Sequence, residues 1–242
     1  FTNSSSYPSA ALLTISGTSV SAGTALTINS SNSHLVLSVD RLTDTTAIAV
    51  YKDSSNYGSS VVLSVSGTSL LKGTAVVFNA ASTADVSVTS LSATQAMVCY
   101  TDTGNSSYGT ACVLDVSGTA ITAGAELVFT SSTATYKRVD LLTSIKALVV
   151  YRDGANTYGT ACVLDVSGST ITAGTPVVFE SAATTDTAVT RLSDTSAMAT
   201  YTDSGNSSFG TSIILTISGS TITAGTPVVF ESASTADNDV VA

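Results

Sequence analysis

The chain has 242 residues, of which only 10% are charged, and a formal net charge of −9 at neutral pH. An ordinary soluble domain is roughly 25% charged, whereas here 81 residues are serine or threonine, so hydroxyl groups rather than ions must cover the surface. Eight basic side chains argue against a nucleic-acid partner, and apolar runs of at most five residues fall far short of the roughly 20 that a membrane-spanning helix needs.

The sequence repeats itself five times, at a spacing of 50 or 51 residues. The five units run roughly over 1–50, 51–99, 100–150, 151–200 and 201–242, and we interpret them as one domain. Each unit carries a Ser-Gly dipeptide, then a second glycine, and in most units an aromatic residue, a Leu-Ser/Thr-x-x-x-Ala segment and a Tyr-x-Asp motif. Agreement at so many positions is the signature of a repeat architecture. The glycines of the dipeptide are Gly17, Gly67, Gly118, Gly168 and Gly219.

Four short strands are predicted in each unit. The first is typified by 111–116, whose apolar residues suit a strand covered on both faces, and the Ser-Gly turn ends it. Shorter strands follow at 127–129 and 138–141, and the fourth, 147–151, is nearly all apolar. Because β-branched and aromatic residues dominate these runs and no helical period appears, the chain is predicted to be all-β.

Four antiparallel strands repeated every 40–50 residues or so are typical of propeller blades. The sequence therefore predicts five four-stranded repeats arranged as a five-bladed β-propeller, with a β-solenoid as the alternative. The segment 1–8 aligns with 51–58, so Phe1 is expected to end a fourth strand whose body is absent. Ala242 aligns with Ser90, so the gap corresponds to 91–99. We expect a propeller that lacks one strand, which either a longer precursor or another chain supplies at the open edge.

The consensus Tyr-x-Asp-x-x-Asn-x-x-Tyr-Gly-Thr-Ala-x-Val-Leu-x-Val-Ser-Gly-x-x-Ile-Thr-x-Gly-Thr-Pro-Val-Val-Phe-x-Ser-Ala is matched best at 151–182 and 201–233. It resembles a tandem repeat of about 50 residues found in large surface or secreted proteins of aquatic bacteria, algae and their viruses. The resemblance covers the whole chain and implies a propeller-like repeat in a secreted or surface-exposed protein. It implies no activity and no catalytic residue. The first unit departs most from the pattern, with Pro8 in place of glycine and Ile28 in place of phenylalanine.

The Tyr-x-Asp motif supplies the strongest candidate ligand-facing positions. Four carboxylates on one rim could bind Ca²⁺ or a sugar, but an Asp followed by Gly, Asn and Ser commonly caps a turn through backbone N–H groups, and we favour that interpretation. The tyrosines, at the end of an apolar strand, are interpreted as packing residues rather than a ligand-stacking ring. The candidates are Tyr51, Asp53, Tyr100, Asp102, Tyr151, Asp153, Tyr201 and Asp203.

The cysteines and the single histidine indicate no reactive site. Cys99, Cys112 and Cys162 occupy positions that other units fill mostly with small apolar residues, so we predict buried core thiols. A Cys99–Cys112 disulfide stays open as an alternative. His34 lacks the partners of a catalytic triad or a metal site and is predicted to be a surface residue.

Four Asn-x-Ser/Thr sequons make N-glycosylation a candidate modification in a secreted protein. Three of them fall in the same serine-rich loop between repeats, and abundant serine and threonine would also permit O-glycans. The four asparagines are Asn3, Asn29, Asn105 and Asn206.

These observations predict a non-enzymatic, extracellular or surface-bound structural or adhesive protein that forms a homo-oligomer or filament. A subunit of a glycosylated fibre, assembled by exchange of strands or termini, is the most specific form of this hypothesis. The alternative is a glycan- or receptor-binding propeller on a viral or bacterial appendage. No cofactor, metal, nucleic acid or membrane insertion is expected.

Overall fold

The structure, a computed structural model, describes Phe1, Asn3, Ser5 and residues 7–30 and 37–241. Every regular element within these residues is a β-strand, so the all-β prediction is confirmed for them. The described part of the chain contains no helix long and apolar enough to cross a membrane. His34 lies outside the described residues.

The strands are short near the N-terminus and then settle into a repeating set of lengths. The first eight are β1 (Ser9–Ala10), β2 (Leu13–Ser16), β3 (Ser19–Ala22), β4 (Leu26–Thr27), β5 (Leu37–Arg41), β6 (Thr46–Lys52), β7 (Tyr57–Ser66) and β8 (Ser69–Lys72). The others are β9 (Val76–Ser92), β10 (Gln95–Asp102), β11 (Tyr108–Ser117), β12 (Ala120–Ala123), β13 (Leu127–Thr143), β14 (Lys146–Asp153), β15 (Tyr158–Ser167), β16 (Thr170–Ala173), β17 (Val177–Ser193), β18 (Ser196–Asp203), β19 (Phe209–Ser218), β20 (Thr221–Ala224) and β21 (Val228–Ser234).

Strands β5 to β21 build four antiparallel sheets with one common order. In each sheet a first strand pairs with a second strand, and the second pairs with a third strand of ten residues. The far edge of the third strand pairs with a short hairpin strand and with the start of the next long strand. Sheet I contains β5 to β8 and the start of β9, and sheet II contains the rest of β9, β10 to β12 and the start of β13. Sheets III and IV follow in the same way, and sheet IV ends with β21.

The long strands correct one part of the strand prediction. The two strands predicted at 127–129 and 138–141 are a single strand, β13, whose first half pairs with β11 and whose second half pairs with β14. The connecting residues contain no Gly or Pro that would end a strand. Instead the register shifts between Thr135 and Arg138, where Tyr136 has a φ of 51°, and the chain passes from sheet II to sheet III.

The Ser-Gly dipeptide forms the hairpin turn that the sequence predicts, but the strand that follows it was missed. Ser117 pairs with Ala120, so Gly118 and Thr119 make a two-residue loop. Gly118 has a φ of 61° at the first central position, the position that favours glycine in a type II′ turn. The returning strand β12 has only four residues, too short to show a period in the sequence.

Successive sheets pack face to face through apolar side chains. We call the side of each sheet that faces the next sheet along the chain its front face, and the opposite side its rear face. Between sheets II and III, Met97 and Phe129 of the front face meet Val149 and Ile171 of the rear face. Equivalent clusters lie between sheets I and II and between sheets III and IV. Three equivalent interfaces therefore hold the four sheets together.

The N-terminal residues form a smaller assembly, which we call the N-terminal half-sheet. It consists of the antiparallel pairs β1–β4 and β2–β3, which correspond in the repeat to a third strand and its outer partners. Phe1 and Ser9 exchange two backbone hydrogen bonds, of 3.2 and 2.8 Å. Tyr51 and Ser59 are paired at the same repeat positions in sheet I. Phe1 thus stands where the second strand of a complete sheet ends. In the sequence-based prediction this strand is the fourth of its unit, so the alignment predicted the position of Phe1.

Candidate functional site

The aspartates of Tyr-x-Asp cap the loops that follow them. Asp102 Oδ1 accepts hydrogen bonds from the backbone N–H groups of Gly104 and Asn105, at 3.1 and 3.2 Å. Asp203 accepts the equivalent pair of bonds. The other two aspartates also accept backbone N–H groups of their own loops, and each accepts a serine hydroxyl as well. The turn-capping interpretation accounts for these contacts. That the carboxylates also face a ligand stays a prediction.

The tyrosines of Tyr-x-Asp are buried in the interfaces between sheets. Three of them contact a phenylalanine of the preceding sheet, with ring centroids 5.2 to 5.4 Å apart. Tyr51 lies instead in the cluster that contains Ile28, and burial, together with the charge of Asp53, raises its pKa to about 12. None of the four rings is exposed for ligand stacking. The contacting pairs are Phe78–Tyr100, Phe129–Tyr151 and Phe179–Tyr201.

A second set of aromatic residues, which the sequence reasoning did not single out, is partly exposed. These residues occupy the start of each third strand, immediately after the capped loop. The signal was present in the sequence as an aromatic residue at a fixed place in every unit, four times before a glycine. They form a repeated aromatic position beside a hydroxyl-rich loop. The set is Tyr7, Tyr57, Tyr108, Tyr158 and Phe209.

The sequons differ in accessibility. Asn3 takes the place of a capping aspartate, because its Oδ1 accepts the backbone N–H groups of Ser5 and Tyr7. Asn29 is half-buried and interacts with another group of the protein. Asn105 and Asn206 are exposed in loops. The structure thus distinguishes Asn105 and Asn206 as the two reachable amides of the four.

All three cysteines are buried and free, as predicted. Cys99 lies in the cluster between sheets II and III, whereas Cys112 lies in the cluster between sheets I and II. The two thiols therefore project from opposite faces of sheet II, and the Cys99–Cys112 disulfide kept open above is wrong. Burial raises the pKa of the Cys162 thiol to about 12, so this thiol is protonated and unreactive at neutral pH.

Polar contacts between sheets involve aspartates at a strand position that the other units fill with Thr or Ser. Asp115 accepts hydrogen bonds from Gln95 Nε2, at 2.8 Å, and from the hydroxyl of Ser169 in the hairpin of the next sheet. Asp165 is bound in the same way by Lys146 Nζ, at 2.7 Å, and by Ser220 of sheet IV. These carboxylates join neighbouring sheets and were recognisable in the sequence only as a polar strand position.

A buried lysine makes a further contact between sheets. Lys137 is fully buried, and its Nζ donates to Asp85 Oδ2 at 2.9 Å and to Thr101 Oγ1 at 2.5 Å. Burial lowers the pKa of Lys137, and the charge of Asp85 opposes that change. All the acceptors are on sheet II, so the lysine acts as a structural link between sheets II and III.

The rear face of sheet I is only partly covered. The outer half of this face packs on the N-terminal half-sheet through Ile28, Tyr51 and Leu63. Its inner half is open, since Val39 is 58% exposed whereas Val139, at the equivalent position of sheet III, is 7% exposed. A cleft of about 490 Å³ lies between the half-sheet and sheet I. The apolar side chains that border it include Leu12, Ile28, Leu37, Val39, Ala47 and Val65.

The front face of sheet IV is open along its whole width. Phe230 is 54% exposed, whereas its counterpart Phe129 in sheet II is 5% exposed. Leu192 and Ile214 are exposed on the same face, although their counterparts in the other sheets are buried. A Cβ on Gly225 would meet only atoms of its own sheet, in contrast to the equivalent glycines, which abut the hairpin of a following sheet.

The outward side of the N-terminal half-sheet is open as well. Leu13, Ile15 and Val20 are exposed, although the equivalent residues of sheets II, III and IV are buried rear-face residues. The repeat therefore identifies this side as the rear face of a sheet, which elsewhere packs on the front face of the sheet before it. In each of the three closed interfaces, the front face of one sheet packs on the rear face of the next. The open front face of sheet IV and the open rear face of the half-sheet are the two kinds of face that meet in such an interface.

The comparisons with known proteins concern the fold. No protein-family model matches the chain, and no curated protein sequence matches it. Among solved structures, it is similar to a mutant of AofleA from Arthrobotrys oligospora, at 11% identity and a TM-score of 0.60, over 92% of this chain and 64% of that one. It is also similar to a mutant of the Aleuria aurantia lectin in complex with Fucα1-6GlcNAc, at 15% identity and a TM-score of 0.54, over 97% of this chain and 74% of that one.

An enzyme shares the architecture too. The NanB sialidase of Streptococcus pneumoniae matches at 13% identity and a TM-score of 0.56, over 77% of this chain, which spans 31% of the sialidase chain. What these proteins share with the chain is the fold. Because both a lectin and a glycosidase carry it, the fold alone does not select a function.

The described residues offer one large apolar site and one repeated polar rim. They hold no group of three or more His, Cys, Asp or Glu side chains close enough to bind a metal ion. The open faces are suited to burying another polypeptide, because contiguous exposed apolar surface marks interaction sites. The rim is suited to polar ligands, since partly exposed aromatic rings lie beside loops rich in Ser and Asn.

Proposed function

We propose that the chain is a non-enzymatic structural or adhesive module that assembles with other polypeptides through an unfinished fifth blade. In this proposal the sheets are the blades of a five-bladed β-propeller, and the N-terminal half-sheet is the outer half of the fifth. The single observation that carries the proposal is that the open faces, on the half-sheet and on sheets I and IV, belong to the interface type that the molecule closes three times elsewhere.

The energetics favour covering these faces. Fully burying a large aliphatic or aromatic side chain contributes about 1.5–3 kcal/mol, so a side chain that is half exposed stands to gain about 1 kcal/mol. The open faces carry several such side chains, and an exposed sheet edge is in addition a template for strand pairing. Covering the faces would therefore give a gain large enough to drive association. The exposed side chains are Leu13, Ile15, Val20, Val39, Leu192, Ile214 and Phe230.

The remaining surface supports an extracellular setting in this proposal. Few charged residues and many hydroxyls give the surface a low density of charge, and the accessible sequons at Asn105 and Asn206 would carry glycans in a secretory host. Mass spectrometry of the loop peptides from native material tests this part. We expect glycans at these two positions and not at Asn3, whose amide is engaged in a turn. Unmodified Asn105 and Asn206 would refute it.

Sedimentation velocity and electron microscopy test the assembly. We expect the chain to form concentration-dependent oligomers or filaments, and Phe230→Asp to abolish them, because a charge would be buried in the joined interface. Ile145→Asp is the matched control, since Ile145 is a large apolar residue that is 61% exposed away from the open faces. A wild-type chain that stays monomeric at every concentration, or an equal loss of assembly in both variants, would contradict the proposal.

Glycan binding is the second candidate function. Two observations favour it: the partly exposed aromatic set beside the hydroxyl-rich loops, and the likeness in fold to a lectin whose structure holds a fucosylated sugar. An aromatic ring offers an apolar face for the C–H groups of a sugar, and the neighbouring polar groups offer hydrogen bonds. If the rim binds glycans, Tyr108→Ala should weaken retention on a glycan column, whereas Ile145→Asp should not. Equal retention of the two variants would exclude the rim as the site.

A further inference from the structure

We infer that the cleft between the N-terminal half-sheet and sheet I accepts an extended strand of the repeat's own second-strand type. This inference rests on the proposed function and names the partner of its open site. The accepted segment has a Leu, then Ala five residues later, and then three mostly apolar residues; the aromatic residue that follows in a complete unit is represented here by Phe1. The chain carries four examples, at 42–50, 91–99, 142–150 and 192–200.

The molecule shows three times what fills this cleft. Between sheets II and III, Leu91 near the end of the first strand and Met97 and Cys99 of the second strand pack against the rear face of sheet III. The corresponding residues of sheet I are Leu42, Ile48 and Val50, which pack on sheet II in the same way. The half-sheet lacks this strand, and the residues that the strand would cover on sheet I are those bordering the cleft.

The other side of the same strand matches the other open face. In a complete sheet the alternate residues of the second strand, such as Ala147 and Val149, point to the rear and meet the front face of the preceding sheet. In the half-sheet the equivalent side chains would point towards the face of sheet IV that exposes Ile214 and Phe230. A strand that is apolar on both faces therefore fits the site better than one with a polar face.

The backbone sets the direction and register of the incoming strand. Phe1 is already paired with Ser9 through two backbone hydrogen bonds, and this pair sets the register for any strand added beside it. In an antiparallel edge the residues that bond to a given neighbour alternate, so the N–H and C=O groups of Ala11 and Leu13 point to the open side. The incoming strand runs antiparallel to β1 and β2 and ends one residue before the position of Phe1. This is strand addition at a free sheet edge.

The test uses the whole chain and a fluorescein-labelled peptide with the sequence of 142–150, made soluble by a short lysine tail. We expect saturable binding by fluorescence anisotropy. The matched control peptide carries Leu148→Asp, which places a charge in the cleft, and a second control is methylated at alternate backbone nitrogens to remove edge hydrogen bonds. Both controls should bind at least 10-fold more weakly.

Variants of the acceptor complete the test. Val39→Asp changes an exposed side chain at the cleft and should weaken peptide binding at least 10-fold without altering the circular dichroism spectrum, whereas Ile145→Asp should leave binding unchanged. Equal binding of all three peptides, or equal binding to both variants, would overturn the inference. If the chain assembles but ignores the peptide, the strand type is wrong and the proposed assembly stands. If the peptide binds as expected and the chain never assembles, the acceptor stands and the proposed function fails.

Discussion

Truncating the same phenylalanine in two sheets should have very different costs. Phe129 is buried between sheets II and III with its ring centroid 5.4 Å from that of Tyr151, and Phe→Ala at a buried site costs about 3–5 kcal/mol. Phe230 occupies the equivalent position but is 54% exposed. With about half of the usual side-chain burial of 1.5–3 kcal/mol, Phe230→Ala should lower the free energy of unfolding by only about 1 kcal/mol.

Urea denaturation followed by circular dichroism measures the difference, at a protein concentration where sedimentation shows a monomer. Phe179→Ala is the internal control, because Phe179 is buried against Tyr201, and its cost should match that of Phe129→Ala. Because repeat proteins can unfold in parts, the comparison uses the same transition for all variants. A cost for Phe230→Ala as large as that for Phe129→Ala in the monomer would show that sheet IV is covered in solution, and would refute the reasoning.

Three further predictions concern turns, close contacts and pH. Gly124→Ala should destabilise the fold by about 1–3 kcal/mol, because its Cβ would lie 2.5 Å from a carbonyl oxygen of the next sheet. Gly225→Ala, with no following sheet, should cost clearly less in the same urea titration. Ser107→Gly should stabilise the unglycosylated protein by about 0.5–1 kcal/mol, since Ser107 has a φ of 60° in a turn that favours glycine; an unchanged midpoint would contradict this. Burial raises the pKa of Cys162 and of Tyr51 to about 12, so their contribution to stability is full below the unfolded values near 9 and 10 and is lost as the pH rises towards 12. The urea concentration at the unfolding midpoint should therefore decrease as the pH is raised from 9 to 11. A midpoint that stays constant over this range would contradict the burial of Cys162 and Tyr51.

Much of the local structure was predictable because it depends on short-range chemistry. The Ser-Gly turn follows from the positive φ that glycine permits, and an Asp before Gly and Asn predicts a capped loop. The position of Phe1 at a strand end followed from alignment with Tyr51. The Ser-Gly turn repeats five times and the Asp-capped loop four times, so a weak signal in one unit was supported by the others.

The contacts between sheets were not predictable in the same way. Other units carry hydroxyl residues at the position of Asp115, yet this carboxylate binds the hairpin of the next sheet. Lys137 replaces Val86 and Thr187 of other units, and its buried contacts with Asp85 and Thr101 depend on how two sheets approach. The fusion of two predicted strands into β13 also depends on neighbours, since each half is paired by a different sheet. Such features arise from packing between units, which no single repeat encodes.

The candidate site was half predictable. The alignment predicted a fifth unit without its second strand, but it did not show which faces are open. The exposure of Val39, Phe230 and Leu13, whose counterparts Val139, Phe129 and Leu114 are buried, locates the open faces on sheet I, sheet IV and the half-sheet. The partly exposed aromatic set at the rim was visible in the sequence only as a periodic residue, because exposure depends on the loop that packs beside it.

Amide hydrogen exchange over Ser9–Leu13 tests the central claim most directly, with the equivalent segment Ser59–Leu63 of sheet I as the internal reference. In the isolated chain the account predicts much faster exchange at Ala11 and Leu13 than at Val61 and Leu63, which pair with β6. Addition of the 142–150 peptide should slow exchange in Ser9–Leu13 and leave the reference unchanged. Equal protection of the two segments in the isolated monomer would contradict an open fifth sheet.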